Sequence, residues 1–201
     1  MPSIPNLIFI LGGARSGKSD YALELARQLA GDQPVLFVAT AQAGDAEMAE
    51  RIARHRTERP DHWQTLEAPR QVGEAINHCL TQATPSPAVI VLDCLTLLVS
   101  NVLFAGEDAE TEPYAAFQAR LDVEVQALLA AAQSANRPLI VVSNEVGLGI
   151  VPLGRISRVY QDLIGRANRQ VATAAEQAIF LLAGIPLDLK RLQTNRLSIS
   201  R

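Results

Sequence analysis

Gly12-Gly13-Ala14-Arg15-Ser16-Gly17-Lys18-Ser19 fits the phosphate-binding pattern G-x-x-x-x-G-K-[ST] at every fixed position. Glycines let the backbone close around a nucleotide's phosphates. Their charge is answered by backbone N–H groups, the Lys18 ammonium and the N-terminus of the helix that follows. The Ser19 hydroxyl is placed to complete the coordination of Mg2+, which takes oxygen ligands and keeps several waters. The flanks supply the context the loop needs. Residues 7–11 are an apolar run of strand length, and Ala22, Leu25, Ala26 and Leu29 follow at i, i+3, i+4 and i+7. Strand, Gly-rich loop and amphipathic helix together predict a nucleotide site.

Outward from the loop, apolar runs alternate with helical patterns, which predicts an α/β fold with a mainly parallel sheet. Strands are expected at 35–39, 89–93, 139–142 and 178–183, with a last edge strand at 185–189. A short strand or loop is expected at 62–69. Helices are expected at 45–58, 72–80, 96–104, from Tyr114 to before Pro138, and at 156–176. Ligands of such sheets bind beyond the carboxyl ends of the strands. Ala39, Thr40 and Ala41 therefore become nucleotide-site candidates. Asp93, closing the run Val89-Ile90-Val91-Leu92, has the position of a second Mg2+-holding group opposite Ser19. Asn144 and Glu145, on the stretch 143–152, are either site residues or part of a helix-capping loop.

The chain of 201 residues is long enough for one domain with a sizeable core, and no linker-like stretch divides it. A formal charge of −3 and few aromatics give no pull toward nucleic acid, so a small polyanion in a local site fits better. Cys79 and Cys94 lack metal-type spacing and are expected as buried, reduced thiols. No apolar run reaches membrane-span length, and no signal-peptide pattern opens the chain. A soluble, cytoplasmic protein is expected, its polar tail 190–201 loosely ordered.

The segment 45–58 carries an unusual load of charge. Met48, Ile52, His55 and Arg59 fall on one face at i, i+4, i+7 and i+11, while Arg51, His55 and Arg59 form an i, i+4, i+8 row. His55 thus sits among Arg51, Arg54, Arg56 and Arg59. On spacing alone this is either a solvated basic helix or a second phosphate contact. Trp63 reads as packing, His62 as an exposed turn residue and His78 as structural.

The P-loop, Ala39-Thr40-Ala41, Arg51-Ile52, His55-Arg56, Arg59-Pro60, Trp63, Glu67 and the stretch from Asn144-Glu145-Val146-Gly147 to Pro152 form an ordered set. In that set the chain resembles the bifunctional adenosylcobinamide kinase / adenosylcobinamide-phosphate guanylyltransferase family of cobalamin biosynthesis, from about Leu7 to Leu189. The resemblance implies a RecA-like P-loop fold and a homotrimer. It also implies two reactions on a corrinoid: phosphorylation of the aminopropanol hydroxyl of adenosylcobinamide with ATP or GTP, then transfer of GMP from GTP to that phosphate. The second passes through a GMP-histidine intermediate that the resemblance places on His55. Nucleotide contacts carry over to Gly12 through Ser19, with Lys18 also catalytic, to Ala39, Thr40 and Ala41, to Arg56, Thr57, Glu58 and Arg59, and to Glu67 and Asp93. Some relatives have a second histidine before the nucleophile, where this chain has Arg54. Two other functions remain compatible with the residues alone: a plain small-molecule kinase with a structural His55, and a nucleotide-driven DNA-handling protein.

Overall fold

A strand buried on both faces needs apolar side chains at every position, and the runs found in this sequence have that character. The computed structural model describes residues 6–57, 59–106 and 109–192, apart from the side chain of Arg51. Glu58, Glu107, Asp108 and the tail from 193 lie outside the described residues. Seven strands form one sheet: β1 (Leu7–Gly12), β2 (Val35–Ala39), β3 (Gln64–Glu67), β4 (Val89–Asp93), β5 (Leu139–Asn144), β6 (Gln177–Leu182) and β7 (Ile185–Asp188). Their order is β3-β2-β4-β5-β1-β6-β7, and every pair is parallel except β6 with β7. The antiparallel pair follows from chain length, because a parallel return needs a crossover and Ala183-Gly184 allows only a tight turn.

Alternation along the strands divides the core in two. Leu7 and Phe9 of β1, Leu36 and Val38 of β2, and Ile90 and Leu92 of β4 face α3 (Val72–Gln82), α4 (Leu95–Leu103), α5 (Tyr114–Ser134) and α6 (Arg155–Ala174). Ile8, Ile10, Val35, Phe37, Val89 and Val91 face the opposite way, toward α1 (Lys18–Ala30). Trp63 joins that second, smaller layer as a packing residue, with the Arg27 guanidinium 5.8 Å from its ring centre. α5 buries the whole expected stripe of Phe117, Leu121, Val125, Leu128 and Ala132.

Several boundaries differ from the sequence expectation for local reasons. Asp45 does not join α2 (Ala46–Thr57); its Oδ1 accepts the Met48 N–H at 2.7 Å and so caps the helix from outside. α6 stops at Ala174 rather than 176, because the Glu176 N–H already donates to Leu7 C=O at 3.0 Å in the sheet. Its stripe accordingly ends on buried Ala175, four residues past Val171, and Ala174 is exposed. β5 runs two residues further than expected, to Asn144, which carries that residue to the sheet's carboxyl edge. The start of the expected loose tail is instead a turn of helix, α7 (Leu189–Leu192), capped by Asp188 Oδ1. The two cysteines are also less buried than expected: both are half-buried, and Cys94 borders a cavity.

Candidate functional site

The P-loop turns sharply between β1 and α1, and the turn dictates its residues. Gly17 has φ of 87°, where glycine alone is unstrained. A side chain on Gly12 would meet the Leu181 carbonyl at 2.5 Å and Ser16 Oγ at 2.8 Å. Lys18 is largely buried, and its Nζ donates to the Gly13 C=O at 2.5 Å and to Ser16 Oγ at 3.4 Å. The ammonium is thus held across the loop it serves. At the first turn of α1, Ser19 Oγ donates to Asp93 Oδ2 at 3.0 Å. An alcohol oxygen and a carboxylate therefore meet at the foot of the loop, a donor set suited to a hard divalent cation.

Register explains why these residues converge. Gly12 of β1 pairs with Asn144 of β5, and Asp93 of β4 pairs with Val142 of β5 and Ala39 of β2. Three adjacent strands therefore end at nearly the same level beside the P-loop. Above them lies a cavity of about 600 Å3. Its floor is Ala14 through Ser19 with Asp20, one wall is Asp93, Cys94, Val142 and Asn144, and the other is Glu47, Glu50, Arg54 and His55 of α2.

α2 differs from the other long helices in that none of its described side chains is buried. The face expected from spacing is nevertheless the right one: Met48, Ile52, His55 and Arg59 are half-buried, and the described residues between them are exposed. His55 and Arg54 reach the cavity wall; Arg56 and Thr57 do not and are exposed. Arg59 turns away, its Nε donating to the His55 C=O at 3.1 Å, its Nη1 to Thr65 Oγ1 at 3.1 Å, and its guanidinium lying 4.1 Å from the Phe37 ring centre. It closes the end of α2 onto the sheet, a favourable place for a cation.

The other expected contacts sit apart from this cavity. Thr40 is fully buried and locks two strand ends: its Oγ1 donates to Cys94 C=O at 2.8 Å and accepts the Cys94 N–H at 2.9 Å. Asn101 Nδ2 then ties the Thr40 C=O to the Pro69 C=O. Ala39 and Ala41 flank that lock, both half-buried. Glu67 lines a separate hollow of about 440 Å3 with Arg70, Glu74 and His78. Sequence reading missed Glu47, Glu50 and Asp20. Glu47, Glu50 and Arg54 lie at i, i+3 and i+7, a helical spacing that would have placed the two acids on the same wall as Arg54.

Cys94 beside this cavity is chemically quiet. Burial, then the neighbouring Asp93 charge, push its thiol up to about 11. Among the described residues no helix is long and apolar enough to cross a membrane.

A family model described as cobinamide kinase / cobinamide phosphate guanyltransferase matches residues 8–189. The bifunctional adenosylcobalamin biosynthesis protein CobU of Salmonella typhimurium is 43% identical over 188 residues, 92% of this chain and 99% of that protein. The protein of the same name from Escherichia coli is 39% identical over the same shares of the two chains. CobP of Pseudomonas aeruginosa, also called a bifunctional adenosylcobalamin biosynthesis protein, is 43% identical over 90% of this chain and 95% of its own. The fold is shared with the RadB recombinase (TM-score 0.50, 18% identity, 88% of this chain and 74% of that one). It is shared also with a further ATPase domain of known structure (TM-score 0.53, 14% identity, 87% of this chain and 68% of that one). The architecture is the RecA-like P-loop fold.

Proposed function

Since the chain belongs to the cobinamide kinase / cobinamide phosphate guanyltransferase family, we propose that the cavity beside its P-loop serves both reactions on a corrinoid acceptor. In the first, ATP or GTP gives its γ-phosphoryl group to the aminopropanol hydroxyl of adenosylcobinamide. In the second, GTP gives GMP to the phosphate just formed, releasing pyrophosphate and yielding adenosylcobinamide-GDP. The observation that carries this reading is the meeting of His55 and Arg54 with Lys18, Ser19 and Asp93 around one space. A kinase alone has no need of a histidine there.

The P-loop N–H groups and Lys18 hold the β- and γ-phosphates and offset the charge that shifts onto the leaving oxygen. Ser19 and Asp93, whose oxygens meet at the foot of the loop, would hold Mg2+, which would supply neutralisation of phosphate charge. In the guanylyl step a nitrogen of the His55 imidazole bonds the α-phosphorus as the bond to the bridging oxygen of the β-phosphate breaks, and pyrophosphate leaves. An oxygen of the corrinoid phosphate then bonds the same phosphorus and breaks the nitrogen–phosphorus bond, restoring the imidazole. Arg54, on the same helix, faces the phosphates during both displacements. The family resemblance also implies nucleotide contacts at Ala39, Thr40, Ala41, Arg56, Thr57, Glu58, Arg59 and Glu67, although none of the described ones among these lines the cavity. That resemblance also extends the proposal to a homotrimer in the cytoplasm, each chain a single nucleotide-binding domain.

Intact-protein mass after incubation with GTP and Mg2+ tests the division of labour. The wild-type chain is expected to gain one acid-labile GMP, and His55→Ala none, while His55→Ala still phosphorylates cobinamide, because γ-phosphoryl transfer to a hydroxyl needs no protein nucleophile. A labelled His55→Ala chain would move the nucleophile elsewhere. Equal loss of the kinase step would make His55 a shared binding or folding residue.

A further inference from the structure

The connection from β5 to α6 departs from what a surface loop usually carries. Its residues Val146-Gly147-Leu148-Gly149-Ile150-Val151-Pro152-Leu153-Gly154 include no charged side chain and none that can form a hydrogen bond. Leu148, Ile150, Val151 and Leu153 are exposed, Ile150 by 96% and Leu153 by 97%. A singly exposed aliphatic residue is ordinary, but four within six positions make a contiguous apolar patch, the mark of a binding surface.

The backbone beneath them is pinned at both ends. At the start, the Glu145 N–H donates to the Gly12 C=O at 3.0 Å, and Glu145 Oε1 accepts the Gly147 N–H at 2.5 Å. Gln161 Nε2 of α6 donates to the Val146 C=O at 3.0 Å, and Val146 packs onto the larger core layer. At the far end, Arg158 Nη1 donates to the Pro152 C=O at 3.1 Å and also to the Leu153 C=O. The loop thus has its ends tied down while its aliphatic groups point outward, with little backbone freedom left to lose on binding.

Place, size and chemistry together say what the patch takes. The loop leaves the carboxyl end of β5, whose last residue Asn144 borders the cavity, so it stands on the sheet edge that carries the P-loop. A cavity of about 600 Å3 accommodates a nucleoside triphosphate and the arm of an acceptor, but not a corrin macrocycle as well. The macrocycle must rest outside, with its aminopropanol arm reaching in. A corrin presents largely saturated, methyl-bearing faces, which an uncharged aliphatic surface suits; the same surface offers nothing to a phosphate. A second copy of this chain fits the patch less well. Four aliphatic side chains bury roughly 400 Å2, about half of the ~800 Å2 per partner that a stable protein interface takes.

We propose that Leu148, Ile150, Val151 and Leu153 form the platform on which the macrocycle of the corrinoid acceptor lies, directing its aminopropanol arm toward the P-loop. This rests on the corrinoid reading of the neighbouring cavity and assigns a place to the part of the acceptor that the cavity leaves outside.

The test measures adenosylcobinamide binding by equilibrium dialysis, followed through the visible absorbance of the corrin, together with steady-state kinase kinetics. It compares wild type with Ile150→Ser, Leu153→Ser, the double serine variant and Ile150→Leu. Each serine variant should raise both the dissociation constant and the KM for cobinamide about tenfold, and the double variant about 10²-fold, as loss of buried aliphatic contacts does. The kcat at saturating cobinamide should change less than about twofold, because the platform holds no reacting group. Ile150→Leu, which restores the apolar volume, should stay within about threefold of wild type. GTP affinity and GMP labelling involve no corrinoid and should hold, as should the melting temperature, since the substituted side chains are exposed. Unchanged cobinamide affinity in the double variant overturns the platform, while wild-type turnover of cobinamide keeps the corrinoid reading intact. Affinity lost only together with a change of sedimenting size also overturns it, in favour of an interface between copies. A wild-type chain that neither binds nor phosphorylates cobinamide overturns the corrinoid reading and the platform with it.

Discussion

Cys94 lies in the wall of the cavity beside the P-loop, where a thiolate would add negative charge next to Asp93. With its thiol pushed up to about 11 by burial and by Asp93, only about one molecule in ten thousand carries the thiolate at pH 7. Iodoacetamide labelling followed by peptide mass analysis should therefore be far slower at Cys94 than at a free thiol at pH 7. It should rise about tenfold per pH unit toward pH 11. Rapid labelling at pH 7 would contradict the assigned environment. At this scale the sequence was informative wherever one motif fixes geometry by itself. The G-x-x-x-x-G-K-[ST] spacing places Lys18 and Ser19, and an acid closing an apolar strand places Asp93. It was silent where a partner distant in sequence decides. Nothing in Arg59 announces that its guanidinium turns to Phe37 and Thr65, nor that Arg54 reaches the cavity and Arg56 does not.

Among the elements, the junction of α3 with α5 is a tight helix contact. Gly73 permits it, since a Cβ there would run into the Ala127 carbonyl of α5. The buried Glu124 of α5 reinforces it, its two carboxylate oxygens accepting the Gln71 and Val72 N–H groups at 2.9 and 2.7 Å at the start of α3. Gly73→Ala should push the helices apart and destabilise the chain by about 1–3 kcal/mol, the usual cost of overpacking. Denaturant titration measures this. Affinity for nucleotide, bound at the P-loop and away from this junction, should stay near wild type in the folded protein. Element identities were legible because short continuous apolar runs separate cleanly from stripes of period 3.6 in this chain. The ends were less so: α6 stops early because a sheet hydrogen bond from Glu176 claims the next residues, and no local propensity records that competition.

Over the whole molecule, the parallel order and the P-loop edge follow from alternating apolar runs, and the RecA-like architecture follows from the resemblance. The sequence could not show that four helices cover one face of the sheet while α1 chiefly covers the other, since the side each crossover takes is a tertiary outcome. That asymmetry leaves α2 over the cavity with no described residue in either core layer. Its amide protons should therefore exchange with deuterium through local opening, at rates insensitive to low denaturant, while those of β1, β4 and β5 exchange only by global unfolding. Hydrogen-exchange mass spectrometry across a denaturant series would show this as two separate isotherms, and a single merged one would refute it. The helix bearing His55 then adds almost nothing to global stability, so substitutions along it can alter reactivity with little penalty to the fold.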